Sequence, residues 1–486
     1  MLKLRQPGAF KPLAFTQALE RIGGVLLLIL LTTFLTQVYQ MDDRSSVNLV
    51  GSFGALSMAG YLAGGLLSDR VLGYRTCVLW GCFLLFIGYL MFTIKSKLYL
   101  YIGLSFSCIG NSLFMPSLSG FVSEFFYERD PRRGRAFIWL YLSMNLGALL
   151  AAIVATVCLA IYGWKITFYF SACTTISAAL VFLFSQHNYE NRGLSPRDSL
   201  FQSTRLRYLF AISAVVGMLV IVFFLLQHIN LNSLILYVLT ILVLAALLIA
   251  SFYESDEKRY RLIRVIILIL FSVIFWGLCS QMYLVVPLFI NREVGMQYNH
   301  IPINAPTYFA LNACLVALFC PILASFWRRL HKKRDEPAPE TKVALSLLSL
   351  GIAMTILTLG ASYPDQAMHV RAIWVFSAFI FFALGESILY PTGLSLTTLL
   401  APRKWRGLLI ALWFMTVGMG FLLAIKLGEQ AALPNHPVSR LFSEHHYAQA
   451  FAHYAIIAYC AGILLLLLMP IIKRLMPIHL QGTSEH

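Results

Sequence analysis

Residues 15–38 read FTQALERIGGVLLLILLTTFLTQV. The run is long enough to cross a bilayer, for which about 20 apolar residues suffice. Glu20 and Arg21 interrupt it side by side. Charges inside a spanning helix are costly, so they pair or face a polar cavity. A helix that is apolar everywhere except at one Glu-Arg step reads as a wall of a polar path through a membrane. Neighbouring helical residues diverge by about 100°, so these two do not pair face to face and each needs its own partners.

The rest of the chain supplies the other walls. Of its 486 residues, 59% are hydrophobic and only 12% are charged. That balance excludes a soluble globular protein of this size. Apolar runs of membrane length fall at about fourteen places: 15–38, 47–67, 77–93, 98–125, 136–161, 166–184, 208–226, 231–252, 263–290, 308–326, 343–360, 373–400, 408–427 and 454–472. The first is longer than a signal-peptide core and follows Lys3, Arg5 and Lys11, as a retained span would.

The net charge of +16 points to topology rather than to nucleic acid. With the N-terminus inside, 28 of the 37 lysines and arginines fall in inner segments and seven in outer ones. Basic loops stay inside, so both termini are expected in the cytoplasm of a multi-pass plasma (inner) membrane protein. The run Arg328–Arg334 (RRLHKKR) is ordinary juxtamembrane charge facing anionic lipid. Two polar stretches, 185–205 and 328–342, read as linkers. All nine cysteines lie in apolar runs and read as free thiols packed as small hydrophobes. No spacing suggests a disulfide framework or a metal site. Glu444, His445, His446 and His453 make a loose cluster on the outer side, expected as a solvated loop.

Several short blocks carry more specific information. Residues 64–75 read GGLLSDRVLGYR. The glycines permit close helix approach, and Asp69, Arg70 and Arg75 offer charges at an inner junction that opens and closes. The block resembles the loop 2–3 motif of the major facilitator superfamily. Residues 137–149 hold Phe137, Tyr141, Asn145 and Gly147 at four-residue and two-residue steps, similar to the F-x-x-x-Y-x-x-x-N-x-G signature of the proton-dependent oligopeptide transporter family. Residues 110–117 (GNSLFMPS) resemble that family's G-N-G-x-F-K-P-N. Phe275-Trp276 with Gln281 resembles its F-W-x-x-x-x-Q, and residues 385–395 (GESILYPTGLS) its G-E-L-x-x-S-P-x-G-L-S. The extra helix pair after the sixth span matches the bacterial members.

The resemblance implies an all-α membrane protein of the major facilitator fold. It has two six-helix bundles plus two extra helices, a central site and alternating access by rocking. The expected boundaries are 1–184 for the first bundle, 185–262 for the linker with the extra pair, and 263–486 for the second bundle. The implied activity is secondary active, proton-coupled import of small peptides or of peptide-like or amino-acid-like zwitterions. Nothing in the spans suggests an enzyme, and no cofactor is expected. The expected partners are protons, a small solute and the bilayer, with the protein acting as a monomer.

Site residues follow from the same motifs. Arg21, whose planar fork suits a carboxylate, is expected to hold the substrate's negative end. Glu386, the lone carboxylate of a long apolar helix, is expected to meet its amino end and, with Glu20, to couple protons. A buried acid without a cation exchanges protons near neutral pH. Asn145, Asn312, Gln281, Trp276, Trp413 and Met115 are expected to line the pocket. Asp69, Arg70, Pro116 and Pro391 are expected to serve gating, the prolines by interrupting their helix ladders.

The departures from the family pattern are informative. Its first helix reads E-x-x-E-R-F-x-Y-Y-G-x-R. Here the first Glu is Gln17, the tyrosine positions are Gly24 and Val25, and the second Arg is Leu28. The family lysine of the fourth span is Met115. Removing one member of a buried pair strands a charge. Gln17 and Met115 together strand none, so the pocket reads as coherently retuned. The alternatives are a non-peptide solute, a facilitator with altered coupling, or a transceptor or inactive scaffold. Retention of Glu20, Arg21, Asn145 and Glu386 argues against the last.

Overall fold

The computed structural model describes residues 8–126, 131–194, 203–253, 255–294, 297–298, 301–302, 304–333, 337–364, 369–399, 406–434 and 438–474. Eleven helices among them are long and apolar enough to span a membrane. One of these, Trp139–Phe184, is two spans broken at Gly163. Two further helices, Ile229–Phe252 and Arg406–Ala431, have 24 and 26 residues. The chain divides into two compact units, Met1–Met41 with Leu56–Ile229 and Asp42–Ala55 with Asn230–His486.

In the first unit, α1 (Phe10–Val38) packs along α5 (Pro131–Phe184), and α3 (Tyr74–Met91) lies against both α4 (Lys97–Ser123) and α5. The α3–α4 contact is set by small residues. A methyl group on Gly81 would stand 2.8 Å from the Gly110 carbonyl, and one on Gly88 2.9 Å from that of Gly103. In lipid, such close backbone approach drives helix association. Gly163, at φ 73°, ends the first arm of α5 where the chain must reverse. Beside it Phe34, Phe92, Trp164 and Phe168 cluster, with Phe34 edge-on to Phe168 at 4.8 Å.

The start of the first linker is ordered. Tyr189 is buried against Phe121 and Phe182. The Arg75 guanidinium lies 5.5 Å from the Tyr189 ring centre. The Arg75 amide donates to the Gly193 carbonyl (3.0 Å), and the Gly193 amide to Glu124 Oε2 (2.6 Å). Residues 195–202 of that linker lie outside the described residues, as do 334–336 of the second. α6 (Thr204–Gln227) leans on α4.

In the second unit, α8 (Asp256–Cys279) packs on α14 (Arg406–Ala431), and α12 (Pro339–Ser362) on α13 (Ala372–Leu399) and α15 (Arg440–Arg474). α11 (Ala305–Lys332) lies against α13. Arg264 of α8 grips Glu340 of α12 through both guanidinium branches. α7 (Ile229–Phe252) is tied to α14 by Tyr237, whose hydroxyl donates to the Leu422 carbonyl at 3.2 Å.

Two features differ from the expected spans. The helix expected over 263–290 stops at Ser280 and continues as α9 (Gln281–Leu284) and α10 (Val286–Glu293). Pro287 has no N–H to bond back to Tyr283, which breaks the ladder there. The last helix begins at Arg440 rather than near 454, so Glu444, His445, His446 and His453 are helical. Glu444 is only 2% exposed, which corrects the expectation of a solvated loop. Arg440, one turn earlier, reaches back to it at 3.9 Å. Among the described residues, no three His, Cys, Asp or Glu side chains converge as metal ligands would.

α2 (Asp43–Leu67) begins in the second unit and finishes in the first. Asp42 caps it, accepting from the Ser45 amide at 3.0 Å. Asp43 takes a two-branched ion pair from Arg292, with Nη1–Oδ2 2.5 Å and Nη2–Oδ1 2.6 Å. Near its far end, the closely packed Gly64 admits no side chain against the Ser112 backbone of α4.

Candidate functional site

In the first unit the charged pair of α1 splits as helical geometry requires. Glu20 is 1% exposed, and neither carboxylate oxygen has a hydrogen-bond partner among the described residues. It faces α3: Glu20 Oε1 and the Tyr89 hydroxyl both border Gly24, 3.3 and 3.7 Å from where its β-carbon would stand. Sequence reasoning missed Tyr89. It sits beside the position where the family motif has a tyrosine, so a phenol enters from another helix. Arg21 is half-buried and turned to a different neighbour, its β-carbon packed against Gly147 of α5.

Gln17 and Met115 meet. The Gln17 Nε2 donates to Met115 Sδ at 3.3 Å, from α1 to α4. The two neutral residues that replace a family carboxylate and lysine are thus direct neighbours. On the same two helices lie Glu20 and the half-buried Pro116. Asn111, also missed, takes part through its Nδ2, which donates to the Tyr61 hydroxyl at 3.3 Å. Asn145 turns its Nδ2 back to the Tyr141 carbonyl of its own helix (2.9 Å). Asp69 and Arg70 are exposed on a single wide turn, Ser68–Leu72.

In the second unit, Glu386 of α13 is half-buried and accepts from Asn312 Nδ2 of α11 at 3.2 Å. The Asn312 Oδ1 has no partner among the described residues. A carboxylate held by one neutral amide keeps accepting capacity for a cation or a proton. Gln281 is fully buried, its Nε2 donating to the carbonyls of Gly277 (3.3 Å) and Ala424 (3.0 Å). It therefore also braces the break between α8 and α10 against α14. Trp276 is buried edge-on to Phe275, with Nε1 unpartnered among the described residues. The Trp413 ring lies over Gly393, close to the exposed Pro391, and leaves no room for a side chain at 393.

Comparison with known proteins places the chain in a family. The profile of the POT family (PTR2) matches residues 75–439. The chain is 27% identical over 473 residues to dipeptide and tripeptide permease A of Escherichia coli (strain K12), covering 97% of this chain and 94% of that protein. It is 26% identical over 478 residues to the permease of the same name from Pectobacterium carotovorum, covering 98% and 93%. Its fold is similar to a peptide transporter POT crystallised with sulfate, at TM-score 0.85 and 22% identity over 98% of this chain and 97% of that one. It is also similar to a POT family transporter crystallised with 5-aminolevulinic acid, at TM-score 0.84 and 21% identity over 97% and 98%. The chain belongs to the POT family of the major facilitator superfamily and is a multi-pass membrane transporter, not an enzyme.

Proposed function

We propose that this protein imports small zwitterionic solutes of the peptide or amino-acid-like class by proton-coupled alternating access. The observation that carries the reading is the Glu386–Asn312 contact (3.2 Å). It sets a carboxylate with spare accepting capacity within an apolar helix, suited to a protonated amino group. Arg21 supplies the complementary cation for a substrate carboxylate. The names of the Escherichia coli and Pectobacterium relatives, dipeptide and tripeptide permeases, support the substrate class. Glu20 and Glu386 are the proposed proton carriers, and the inner location of both termini rests on the charge asymmetry of the loops.

A second reading, facilitated exchange without proton coupling, is favoured by the Gln17–Met115 contact, which leaves that pair no charge to exchange. Substrate recognition is tested by counterflow in proteoliposomes with dialanine, N-acetyl-dialanine and dialanine amide. The zwitterion is expected to exchange and both blocked forms to fail. Equal exchange of all three would contradict a site that reads both ends.

A further inference from the structure

The end of the second unit that carries Asp43, Glu293 and Arg440 holds charges that the transport reading leaves unused. Arg292 binds Asp43 with both branches and donates to the Tyr447 hydroxyl at 3.0 Å. The Leu433 amide adds a bond to Asp43 Oδ2 at 3.2 Å. This ties the start of α2 to α10, α15 and the segment after α14. The next residue of α10, Glu293, is buried, accepts from the Ser443 hydroxyl, and lies 3.6 Å from Arg440 Nε.

Arg440 is the hub. Its guanidinium faces Glu293 and Glu444 (3.9 Å), and its Nη2 donates to the Arg292 carbonyl at 3.3 Å. The same Nη2 stands 2.5 Å from Nδ1 of His369. Nη1 stands 3.4 Å from Nε2, so the guanidinium, which has donors only, lies against both ring nitrogens of His369. The imidazole is held in place by its neighbour: the Val370 amide donates to the Glu293 carbonyl at 2.8 Å, and Val370 bridges Val294.

We infer that His369 is a proton-binding site that controls the attachment of α2 to the second unit through Arg440. Imidazole is the side chain whose ordinary charge change lies between pH 5 and 8. A second proton on the ring makes it a cation, with an N–H on each nitrogen set against the guanidinium N–H groups. Arg440 then withdraws toward Glu293 and Glu444, and its bond to the Arg292 carbonyl is lost. That carbonyl belongs to the residue whose side chain holds Asp43. Among the described residues, the charged and titratable groups at this switch include Asp43 from α2, Arg292 and Glu293 from α10, and Arg440, Glu444 and Tyr447 from α15. With the proposed orientation the switch lies on the outer face, where an acidic exterior would loosen the start of α2. The test needs neither a substrate nor that orientation, so it fails or succeeds separately from the transport reading.

The test is hydrogen exchange of the full chain in lipid nanodiscs at pH values of about 7.5 and 5.5, corrected for the chemical pH dependence. Peptides covering 43–48 and 287–293 are followed. In the wild type their protection is expected to fall about tenfold at the lower pH, the scale of one lost charged hydrogen bond. His369→Gln keeps a neutral acceptor and should stay protected at both values. His369→Arg, a permanent cation, should be unprotected at both. An unchanged wild type overturns the inference. So does the same loss in His369→Gln, which would assign the response to the surrounding carboxylates. The comparison of wild type with His369→Gln decides the matter even if His369→Arg does not fold.

Discussion

Gln17 Nε2 and Met115 Sδ lie 3.3 Å apart across α1 and α4. The two departures from the family pattern thus meet in one contact between neutral groups. Met115→Lys alone would place an ammonium against a neutral amide. Gln17→Glu alone would place a carboxylate against a thioether. Each is expected to lower stability by about 3 kcal/mol, the cost of an uncompensated buried charge. The double variant is expected to recover most of that loss. Thermal unfolding of the four proteins, read as a double-mutant cycle, checks this. Simple additivity would show that the two positions do not interact.

The Asp43–Arg292 pair gives an asymmetric prediction. Asp43 is 4% exposed, whereas Arg292 keeps 36% of its side chain in contact with solvent. Arg292→Leu strands a buried carboxylate. Asp43→Asn leaves a cation that still reaches solvent and the Tyr447 hydroxyl. Arg292→Leu is therefore expected to cost about 2 kcal/mol more, measured as the difference in unfolding midpoint. Equal losses would mean that Asp43 finds another cation.

Asp42 makes stability depend on acid. Burial pushes its carboxyl up, but hydrogen bonds from the Ser45 side chain and amide outweigh it and hold the group below the usual carboxylate range. The folded value is the lower one. Its contribution is therefore fully present above the unfolded value, near 4, and is lost as pH falls through the folded value. Asp42→Asn, an equally good cap, should leave neutral stability within about 0.5 kcal/mol and flatten the acid limb below about pH 4. Unfolding midpoints between pH 3 and 7 check this. An unchanged acid limb would remove Asp42 from the account.

Membrane spans were legible from the sequence because lipid imposes length and apolarity on every helix. Glu20, Arg21, Gln17 and Glu386 were legible because polar groups stand out in such runs. The break at Ser280 was not, since residues 265–290 are mostly apolar and the Ser280-Gln281 step looks like an ordinary polar pair within one span. The early start of α15 was hidden for the opposite reason. Arg440, Glu444 and His446 look solvated in one dimension, yet Glu444 and Glu293 are buried around Arg440 from two helices. Tyr89 was missed because it meets Glu20 from α3, 69 positions away along the chain. No pattern on α1 announces it. For Gln281 the sequence suggested a ligand contact, and the structure shows a brace to the Ala424 carbonyl (3.0 Å).

Glu386 supplies a split between binding and driving. Glu386→Gln keeps the shape and the bond to Asn312 but removes the exchangeable proton. It is expected to abolish gradient-driven accumulation while the protein folds. Asn312→Ala, which removes the amide that donates to Glu386 and leaves the carboxyl in place, should weaken binding by about 1–2 kcal/mol, roughly tenfold. Equilibrium exchange and driven uptake, measured on the same vesicles, separate the two effects.

The most direct measurement is uptake of labelled dialanine into proteoliposomes, with and without an inward proton gradient, for the wild type and Glu386→Gln. The account predicts accumulation above equilibrium only in the wild type and only with the gradient. Equal gradient-driven accumulation in Glu386→Gln, or exchange in the wild type that the gradient never drives uphill, would contradict proton coupling through Glu386.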